Sequence, residues 1–479
     1  MSHIERNLIA GAWWEGAGSL ENRNPSDLDD LIGHYAIASP DEVADACAAA
    51  AEAQQEWRYS TPQVRAELLE RIAQGIAKRE QEIATMLARE EGKILSEALA
   101  ETRRAVQIFR FYAGEALRLA GESIASVRSD IDIETRREPI GVVGLITPWN
   151  FPIAIPAWKV APALAYGNSV VLKPAELTPG TAHLLASIIR EAGCPAGVFN
   201  LVMGPGASVG AALVDNPHVR GLSFTGSVPT GRRIAQRAAV DLKRVQLEMG
   251  GKNPMVILED ADLEVAVEAS LNGSFHSTGQ RCTASSRLIV QASIHDAFVD
   301  ALAKRMASLK VGHALASDSQ IGPVVSAEQL ASNLRYVRLA AAEGCEVIGG
   351  EHIELRTRGH YQRPALFLGA GADMQVSQEE IFGPCASVIR VDDFDEALQV
   401  ANGTAFGLSA GICTRSLKHA REFRRQVQSG MVMINVATAG VDYHVPFGGT
   451  KASSFGPREQ GRAAAEFYTL SKTAYQFSG

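Results

Sequence analysis

An unbroken apolar run occupies residues 140–146, with the sequence Ile140-Gly141-Val142-Val143-Gly144-Leu145-Ile146. Its length and its content of valine and isoleucine predict a buried strand. Further along the chain, short apolar runs alternate with helix-like segments; the runs are 169–172, 197–202 and 221–224, and the helix-like segments are 178–191 and 207–214. This alternation of strand and helix predicts a parallel, doubly wound sheet.

A second α/β unit is predicted to begin close to Gly251. Residues 253–258 and 287–290 have the apolar character of strands, and a helix-like segment at 263–276 separates them. Another helix is predicted from 293 to 309.

Residues 41–125, before the first sheet, are predicted to be mostly helical. One helix covers 41–57, and a second runs to about Arg89, with Thr61 as its cap and Pro62 as its first residue. Polar alternation at 129–137 and 468–477 predicts strands of an arm or a sheet edge. Because long strand edges are normally covered, these segments favour an oligomer interface.

Composition narrows the class of protein. The 479 residues are 46% hydrophobic and 21% charged, which is typical of a folded protein with two or three structural units. A net charge of −8 gives no general attraction to nucleic acid or to an anionic membrane, and no apolar run is long enough for a membrane span or a secretion signal. We therefore expect a cytoplasmic protein with a small-molecule partner, no nucleic acid and no membrane.

The cysteines do not form a pattern of their own. The six residues are scattered without a CxxC pair or a His-Cys cluster, which argues against a disulfide framework and against a metal site. Most of them are expected to be buried packing residues.

Cys282 is the exception, because its flanks Gly279, Gln280 and Thr283 are small and polar. It follows Glu248 by thirty-four positions (282 − 248). A thiolate adds readily to a carbonyl carbon, and a carboxylate can activate the water that later cleaves a thioester. This pair predicts covalent chemistry on an aldehyde, and the neighbouring Arg281 is expected to favour the thiolate electrostatically.

Glu248 lies between Leu247 and Met249 and before two glycines. This apolar setting is expected to raise the pKa of its carboxyl into the range useful for a base.

Oxidation by a cysteine enzyme needs a hydride acceptor, so the chain is expected to bind a dinucleotide. Lys173 and Glu176 come just after the predicted strand 169–172, where ribose and phosphate groups are usually held. The turn at Gly226 and Ser227 joins a strand to a helix; it either offers backbone amides to pyrophosphate or is an ordinary strand-to-helix turn. Glu176 favours NAD over NADP because a carboxylate repels a 2′-phosphate, although both cofactors remain open.

The segments around Cys282 and Glu248, with Thr147-Pro148-Trp149-Asn150-Phe151-Pro152, resemble the aldehyde dehydrogenase superfamily. The resemblance extends over nearly the whole chain, from 7–14 to 446–451 and beyond. It implies the α/β aldehyde dehydrogenase fold, which has a Rossmann-like doubly wound cofactor domain, an α/β catalytic domain and a small β oligomerisation arm. The domains implied are 1–128 and 145–250 for the cofactor, 251–445 for catalysis, and 129–144 and 460–479 for the arm of a homodimer or homotetramer.

The resemblance also implies roles for individual residues. Asn150 would join the Cys282 backbone N–H in an oxyanion hole, although asparagine is also a favoured helix cap and a cap before residues 153–165 remains the alternative. Lys159 would contact the cofactor or support a proton path, against the alternative of a solvated lysine on a helix face. The cofactor residues implied are Ile146, Thr147, Trp149, Lys173, Glu176, Gly226, Ser227, Gly250, Glu380 and Phe382.

The sequence identifies the substrate less closely than it identifies the type of reaction. The segment 439–449, with Arg281, resembles the bacterial branch that oxidises α-ketoglutaric semialdehyde, and Arg281 would pair with the substrate carboxylate or else form an outward salt bridge. Trp158 and Phe447 are the other candidate substrate residues, and Trp158 favours an apolar or aromatic aldehyde. Succinate semialdehyde and aliphatic or aromatic aldehydes stay open as substrates. So do a catalytically retired structural protein and a CoA-acylating enzyme, the last disfavoured by the presence of Glu248.

Overall fold

The computed structural model describes residues 3–479. Its strands, numbered along the chain, are β1 (Ile4–Glu5), β2 (Asn7–Ile9), β3 (Ala12–Trp14), β4 (Gly18–Asn24), β5 (Asp27–Ile37), β6 (Glu122–Ala125), β7 (Ile131–Pro139), β8 (Val142–Ile146), β9 (Ser169–Lys173), β10 (Phe199–Leu201), β11 (Val219–Thr225), β12 (Arg244–Glu248), β13 (Asn253–Ile257), β14 (Ser285–Gln291), β15 (Glu346–Gly349), β16 (Ala365–Leu368), β17 (Cys385–Val391), β18 (Phe406–Gly407), β19 (Ser409–Cys413), β20 (Met431–Ile434), β21 (Thr450–Lys451), β22 (Ser454–Phe455) and β23 (Thr469–Phe477).

The α-helices are α1 (Pro40–Trp57), α2 (Pro62–Lys78), α3 (Glu80–Glu91), α4 (Leu95–Ala116), α5 (Ala154–Ala165), α6 (Pro179–Glu191), α7 (Ala211–Asp215), α8 (Val228–Val240), α9 (Leu263–Phe275), α10 (His295–Ala307), α11 (Ala327–Ala342), α12 (Gln375–Gln378), α13 (Phe394–Asn402), α14 (Leu417–Gln426) and α15 (Ala465–Tyr468). Tighter or wider helical turns occur at Gly206–Gly210, His276–Gly279 and Arg462–Ala464.

The first large sheet confirms the predicted parallel arrangement. Its strand order is β22-β12-β11-β8-β9-β10-β2-β3, and the five strands from β12 to β10 are mutually parallel. Neighbouring residues of β9 enter opposite cores: Val170 packs with α2, α4 and α6 side chains, and Val171 packs with α1 side chains. Helices therefore cover both faces, as a sheet that is apolar on both sides requires.

The second large sheet begins at β13, close to the predicted start of the second unit. Its order is β15-β16-β17-β14-β13-β19-β20, with only the edge strand β15 antiparallel among these strands. Val256 of β13 faces one core, whereas Met255 and Ile257 face the other. Residues 249–252 join the carboxyl end of β12 to the start of β13. Glu248, the last residue of β12, therefore lies directly before the connection between the two units.

One of the smaller sheets consists of β23, β7 and β6, in that order. β7 pairs with β23 along its whole length and with β6 on its other edge. Two details differ from the expected arm: β6 lies before residue 129, and Val142–Gly144 belong to β8 of the first sheet. The reason is that the chain leaves the arm at Ile140–Gly141, where the buried apolar run begins.

The predicted helix from Pro62 to Arg89 is wrong as a single element. Thr61 caps α2 and Pro62 begins it, as predicted, but the chain leaves helical geometry at Arg79 (φ −106°, ψ 20°) and α3 starts anew. The break lets Ile72 and Ile83 enter the same core although they lie on separate helices. Within residues 3–479, the structure has no helix with the length and apolarity needed to cross a bilayer.

We expect Ile72→Ala to destabilise the cofactor-side core, because its side chain is fully buried in α2. Deleting a buried aliphatic side chain costs about 2–5 kcal/mol through lost burial and the cavity left behind. Urea unfolding followed by circular dichroism measures the shift. Val64→Ala on the same helix is the matched control, since Val64 is 47% exposed and its replacement should change the midpoint little; equal shifts in both variants would contradict the assignment of Ile72 to the core.

Candidate active site

A tight turn after α9 carries the chain to Cys282. Ser277, Thr278 and Gly279 all have positive φ values, of 51°, 56° and 64°. Gly279 passes so close to Gly383 that an added Cβ would lie 2.2 Å from the Gly383 carbonyl oxygen. The turn is therefore possible only with glycine at this position, and it brings the Glu380–Gly383 segment beside the cysteine loop.

Cys282 is half-buried in the wall of a cavity. Burial raises the pKa of its thiol to about 12, and the carboxylates of Glu380 and Glu248 add to the rise. The expectation that Arg281 favours the thiolate is therefore wrong. The Arg281 guanidinium turns away to bind the Glu97 carboxylate at 3.3 Å and the Ser277 hydroxyl at 2.9 Å.

Glu248 is the last residue of β12. The Ser454 hydroxyl donates a hydrogen bond of 2.6 Å to Glu248 Oε2, and an added Cβ on Gly448, next to Phe447, would lie 2.7 Å from Oε1. Burial raises the pKa of the Glu248 carboxyl well above its ordinary value, and the charge of Glu459 adds to this. The predicted direction of the shift is confirmed, so Glu248 is a stronger base than an exposed carboxylate.

Asn150 is held from two sides in the loop between β8 and α5. Its side-chain Nδ2 donates to the Gln280 carbonyl at 2.9 Å, which places the amide beside the cysteine loop. Its own carbonyl accepts from Lys93 Nζ at 2.7 Å. The helix-cap alternative is wrong, because Glu101 Oε1 accepts from the backbone N–H groups of Ile153 and Ala154, both at 3.1 Å.

Lys159 lies inside the protein rather than on a solvated helix face, so that alternative is wrong. Its side chain is fully buried, donates to the Ser223 hydroxyl at 2.7 Å and forms an ion pair with Glu459. Glu459 in turn acts on the charge of Glu248. Lys159, Glu459 and Glu248 thus form one electrostatically linked group behind the cysteine.

A cavity of about 470 Å³ opens in front of Cys282. The three candidate substrate residues all line it, and the Trp158 and Phe447 rings face each other with centroids 5.4 Å apart. The sequence analysis missed the charged residues that also line it, which are Lys93, Glu97, Glu101 and Arg104. Glu97, Glu101 and Arg104 recur at spacings of four and three on α4, so a charged stripe on a predicted helix was the available signal.

The dinucleotide candidates of the first sheet share one edge. Thr147 follows β8, Lys173 ends β9, and Gly226 and Ser227 join β11 to α8. Lys173 Nζ pairs with the exposed Glu176 carboxylate at 3.1 Å, and burial lowers the pKa of this lysine.

Two features of this edge fit a bound dinucleotide. The buried hydroxyls of Thr147 and Thr225 have no hydrogen-bond partner within residues 3–479. Ser227 begins α8 without capping it by its side chain, so amides at the helix N-terminus remain available to an anion.

The remaining cofactor candidates are Ile146, Trp149, Gly250, Glu380 and Phe382. Glu380 Oε1 accepts from the Gly251 N–H at 2.8 Å, and burial raises the pKa of the Glu380 carboxyl to about 7. A Cβ on Gly250 would lie 2.1 Å from Glu380 Oε2, so glycine is required there. The Phe382 ring stands edge-on to Trp149, with centroids 5.3 Å apart. Ile146, the last residue of β8, completes the set.

A cysteine near a buried carboxylate and an amide donor, beside the carboxyl edge of a parallel sheet, is the arrangement expected of an oxidoreductase that acts on aldehydes. The chain belongs to the aldehyde dehydrogenase family, whose model, described as "Aldehyde dehydrogenase family", matches residues 13–474. The predicted family, fold class and enzyme class are confirmed.

The relatives cover almost the whole chain. The alpha-ketoglutaric semialdehyde dehydrogenase of Bacillus subtilis is 44% identical over 98% of this chain and 97% of its own. The 2,5-dioxopentanoate dehydrogenase of Saccharolobus solfataricus is 37% identical over 98% of both chains. A crystal structure of betaine aldehyde dehydrogenase from Staphylococcus aureus in complex with NAD+ has a TM-score of 0.97 and 34% identity, over 99% of this chain and 95% of that one.

We expect Glu380→Gln to speed the alkylation of Cys282 by iodoacetamide at pH 9. The Glu380 carboxyl has a pKa of about 7 and is charged at pH 9, where it opposes the thiolate. Removing that charge lowers the thiol pKa, so a larger fraction is thiolate; a drop of about 0.5 to 1 raises the rate about threefold to tenfold. Peptide mass spectrometry measures the rate at Cys282.

Glu379→Gln is the control, because its carboxylate points to the Tyr336 hydroxyl at 2.6 Å instead of the cysteine. Equal rates in Glu380→Gln and the unmodified protein would show that Glu380 does not act on the thiol.

Proposed function

We propose that this enzyme oxidises α-ketoglutaric semialdehyde (2,5-dioxopentanoate) to 2-oxoglutarate, with NAD as the preferred hydride acceptor. The observation that carries this proposal is the charge of the cavity at Cys282. Three cationic side chains and two carboxylates line it, which leaves one positive charge for a substrate with one carboxylate. The names of the two relatives above support the same substrate.

The residues at the sheet edge fit the dinucleotide. Lys173 and Glu176 would hold the adenosine ribose, with Thr147 nearby, and Gly226 and Ser227 would present the α8 N-terminus to the pyrophosphate. The exposed carboxylate of Glu176 favours a free 2′-hydroxyl, hence NAD, and the solved relative holds NAD+.

Glu380 would bind the second ribose, with Ile146, Trp149, Gly250 and Phe382 around the nicotinamide. When bound, the nicotinamide accepts the hydride that the aldehyde carbon releases.

The covalent sequence begins with Cys282. Because burial keeps its thiol protonated, a base must take the proton as sulfur bonds to the aldehyde carbon, and Glu248 is that base. The carbonyl π electrons move to oxygen, and Asn150 Nδ2 with the Cys282 backbone N–H would hold the resulting oxyanion.

Loss of hydride from the thiohemiacetal leaves a thioester on Cys282. Once Glu248 has passed the thiol proton to solvent, it removes a proton from water, whose oxygen attacks the acyl carbon. The C–S bond breaks, the carboxylic acid leaves, and the proton on Glu248 returns to the Cys282 sulfur. The buried Lys159–Glu459 pair adjusts the charge of Glu248, because Lys159 opposes protonation of that carboxyl and Glu459 favours it. We assign Lys159 to the proton path on this basis.

The arm supports a homodimer or homotetramer. β6, β7 and β23 form a narrow sheet on which large apolar side chains are exposed, among them Ile124 (45%), Leu470 (52%), Tyr475 (61%) and Phe477 (68%). Such side chains on an open sheet favour burial against another copy of the chain.

We expect Cys282→Ala to abolish aldehyde-dependent NADH formation, because it removes the sulfur that carries the acyl intermediate. Glu248→Gln should lower kcat by about 10²- to 10⁴-fold, as loss of a general base does. Absorbance at the NADH band measures both. Cys194→Ala is the matched control, a second cysteine that is also partly accessible but lies outside the site. Full activity in Cys282→Ala would contradict Cys282 as the nucleophile, and no aldehyde-dependent NADH formation by the unmodified protein would favour a catalytically retired scaffold.

The substrate assignment is tested by kcat/KM for 2,5-dioxopentanoate, succinate semialdehyde, benzaldehyde and acetaldehyde, each with NAD and with NADP. We expect 2,5-dioxopentanoate with NAD to exceed the uncharged aldehydes about tenfold or more, which corresponds to a single ion pair of about 1.4 kcal/mol. Addition of CoA should leave the rate unchanged. A clear preference for benzaldehyde or acetaldehyde would overturn the proposed substrate, and a requirement for CoA would indicate the acylating reaction.

A further inference from the structure

We propose that Arg104 is the residue that binds the substrate carboxylate, and that Arg281 instead positions the loop of the nucleophile. The inference rests on the proposed function and names the specificity-determining side chain within it. The reason is that two of the three cationic side chains in the cavity already pair with carboxylates of the protein, whereas the third does not within residues 3–479.

Two of the three cations that line the cavity are paired within the protein. Lys93 Nζ lies 2.6 Å from Glu101 Oε2 and also donates to the Asn150 carbonyl. Arg281 lies 3.3 Å from Glu97 Oε1 and also contacts the Ser277 hydroxyl. These two pairs use both carboxylates of the lining, so neither Lys93 nor Arg281 provides the surplus positive charge of the cavity.

Arg104 is the third cation, and its guanidinium has no hydrogen bond or ion pair within residues 3–479. It is half-buried on α4 and lines the same cavity as Cys282. Burial lowers the pKa of Arg104, while Asp442 and Glu101 act on it only from beyond ion-pair distance. An arginine stays charged under these conditions, so a partly desolvated guanidinium without an acceptor is complementary to an anion that enters the cavity.

Apolar side chains line part of the cavity that also contains Arg104 and Cys282. Phe151, Ile155, Trp158 and Phe447 supply an apolar wall to the cavity. A short dicarbonyl substrate would lie along this wall, with its aldehyde at Cys282. Its carboxylate would accept two parallel hydrogen bonds from the Arg104 guanidinium. A cationic aldehyde would meet repulsion at the same place.

Arg281 is unsuited to this task because both of its terminal nitrogens already have acceptors. Besides Glu97 and Ser277, it contacts the Asn272 side-chain and backbone oxygens at 3.3 Å and 3.4 Å. The Ser277 backbone N–H also donates to Glu97 Oε1 at 2.9 Å. Arg281 therefore ties α9, α4 and the strained turn together directly before Cys282.

The test compares 2,5-dioxopentanoate with pentanal, an uncharged aldehyde of the same chain length, in Arg104→Gln. We expect kcat/KM for 2,5-dioxopentanoate to fall about 10- to 100-fold through a higher KM, because a charge-assisted pair made equally in ground and transition states is lost. The value for pentanal should change less than about threefold. Arg104→Lys should recover part of the loss, since it keeps the charge but not the planar fork.

Two further variants separate a local from a general effect. Arg103→Gln is the matched control, because the neighbouring Arg103 points outward to Glu80 at 2.8 Å; both substrates should keep their kinetics. Arg281→Gln should lower kcat for both substrates by similar factors, as a disturbed nucleophile loop would.

The inference is overturned if Arg104→Gln retains the preference for 2,5-dioxopentanoate over pentanal, if it slows both substrates equally, or if Arg281→Gln alone removes the preference. These results differ from a failure of the proposed function, in which the unmodified enzyme itself shows no preference for 2,5-dioxopentanoate over uncharged aldehydes.

Discussion

The buried ion pair between Lys93 and Glu101 joins the parts of the molecule that form the site. Lys93 Nζ donates to the Asn150 carbonyl, and Glu101 accepts from the first amides of α5. Both side chains are almost fully buried, at 1% and 2% exposure. Removing one partner of such a pair leaves an uncompensated charge and costs about 3–5 kcal/mol. The position of Asn150, and through it the geometry next to Cys282, depends on this pair remaining intact.

The charges around Cys282 divide into two groups with different effects. Behind the cysteine, burial raises the pKa of both the Cys282 thiol and the Glu248 carboxyl. The charges of Glu380 and Glu248 add to the rise at the thiol, and the charge of Glu459 adds to the rise at Glu248. In front, the cavity lining is positive by one charge. A mostly protonated thiol that faces a cavity complementary to an anion is consistent with activation that accompanies substrate and cofactor binding.

Part of the fold and part of the site could be predicted from the sequence alone. The alternation of apolar runs with helical segments predicted the parallel sheet, because strands buried on both faces must be apolar throughout. Thr61 and Pro62 marked the start of α2 correctly, whereas the end at Arg79 was missed, since its helical propensity is high and only packing against a second helix favours the break. The apolar neighbours of Glu248 correctly indicated a raised pKa, but adjacency of Arg281 to Cys282 wrongly suggested a lowered thiol pKa, because neighbours in a turn point in different directions.

The sequence by itself therefore determined the class of fold, the nucleophile candidate with its carboxylate, and the family, since each depends on local patterns of residue type. Only the tertiary structure decided which charges meet. Glu459 reaches Lys159 from the far end of the chain, and Glu97 pairs with Arg281, while Arg104 has no acceptor among residues 3–479. Ion pairing depends on distances of a few ångströms between side chains from separate elements, and these distances exist only after the sheets and helices have packed.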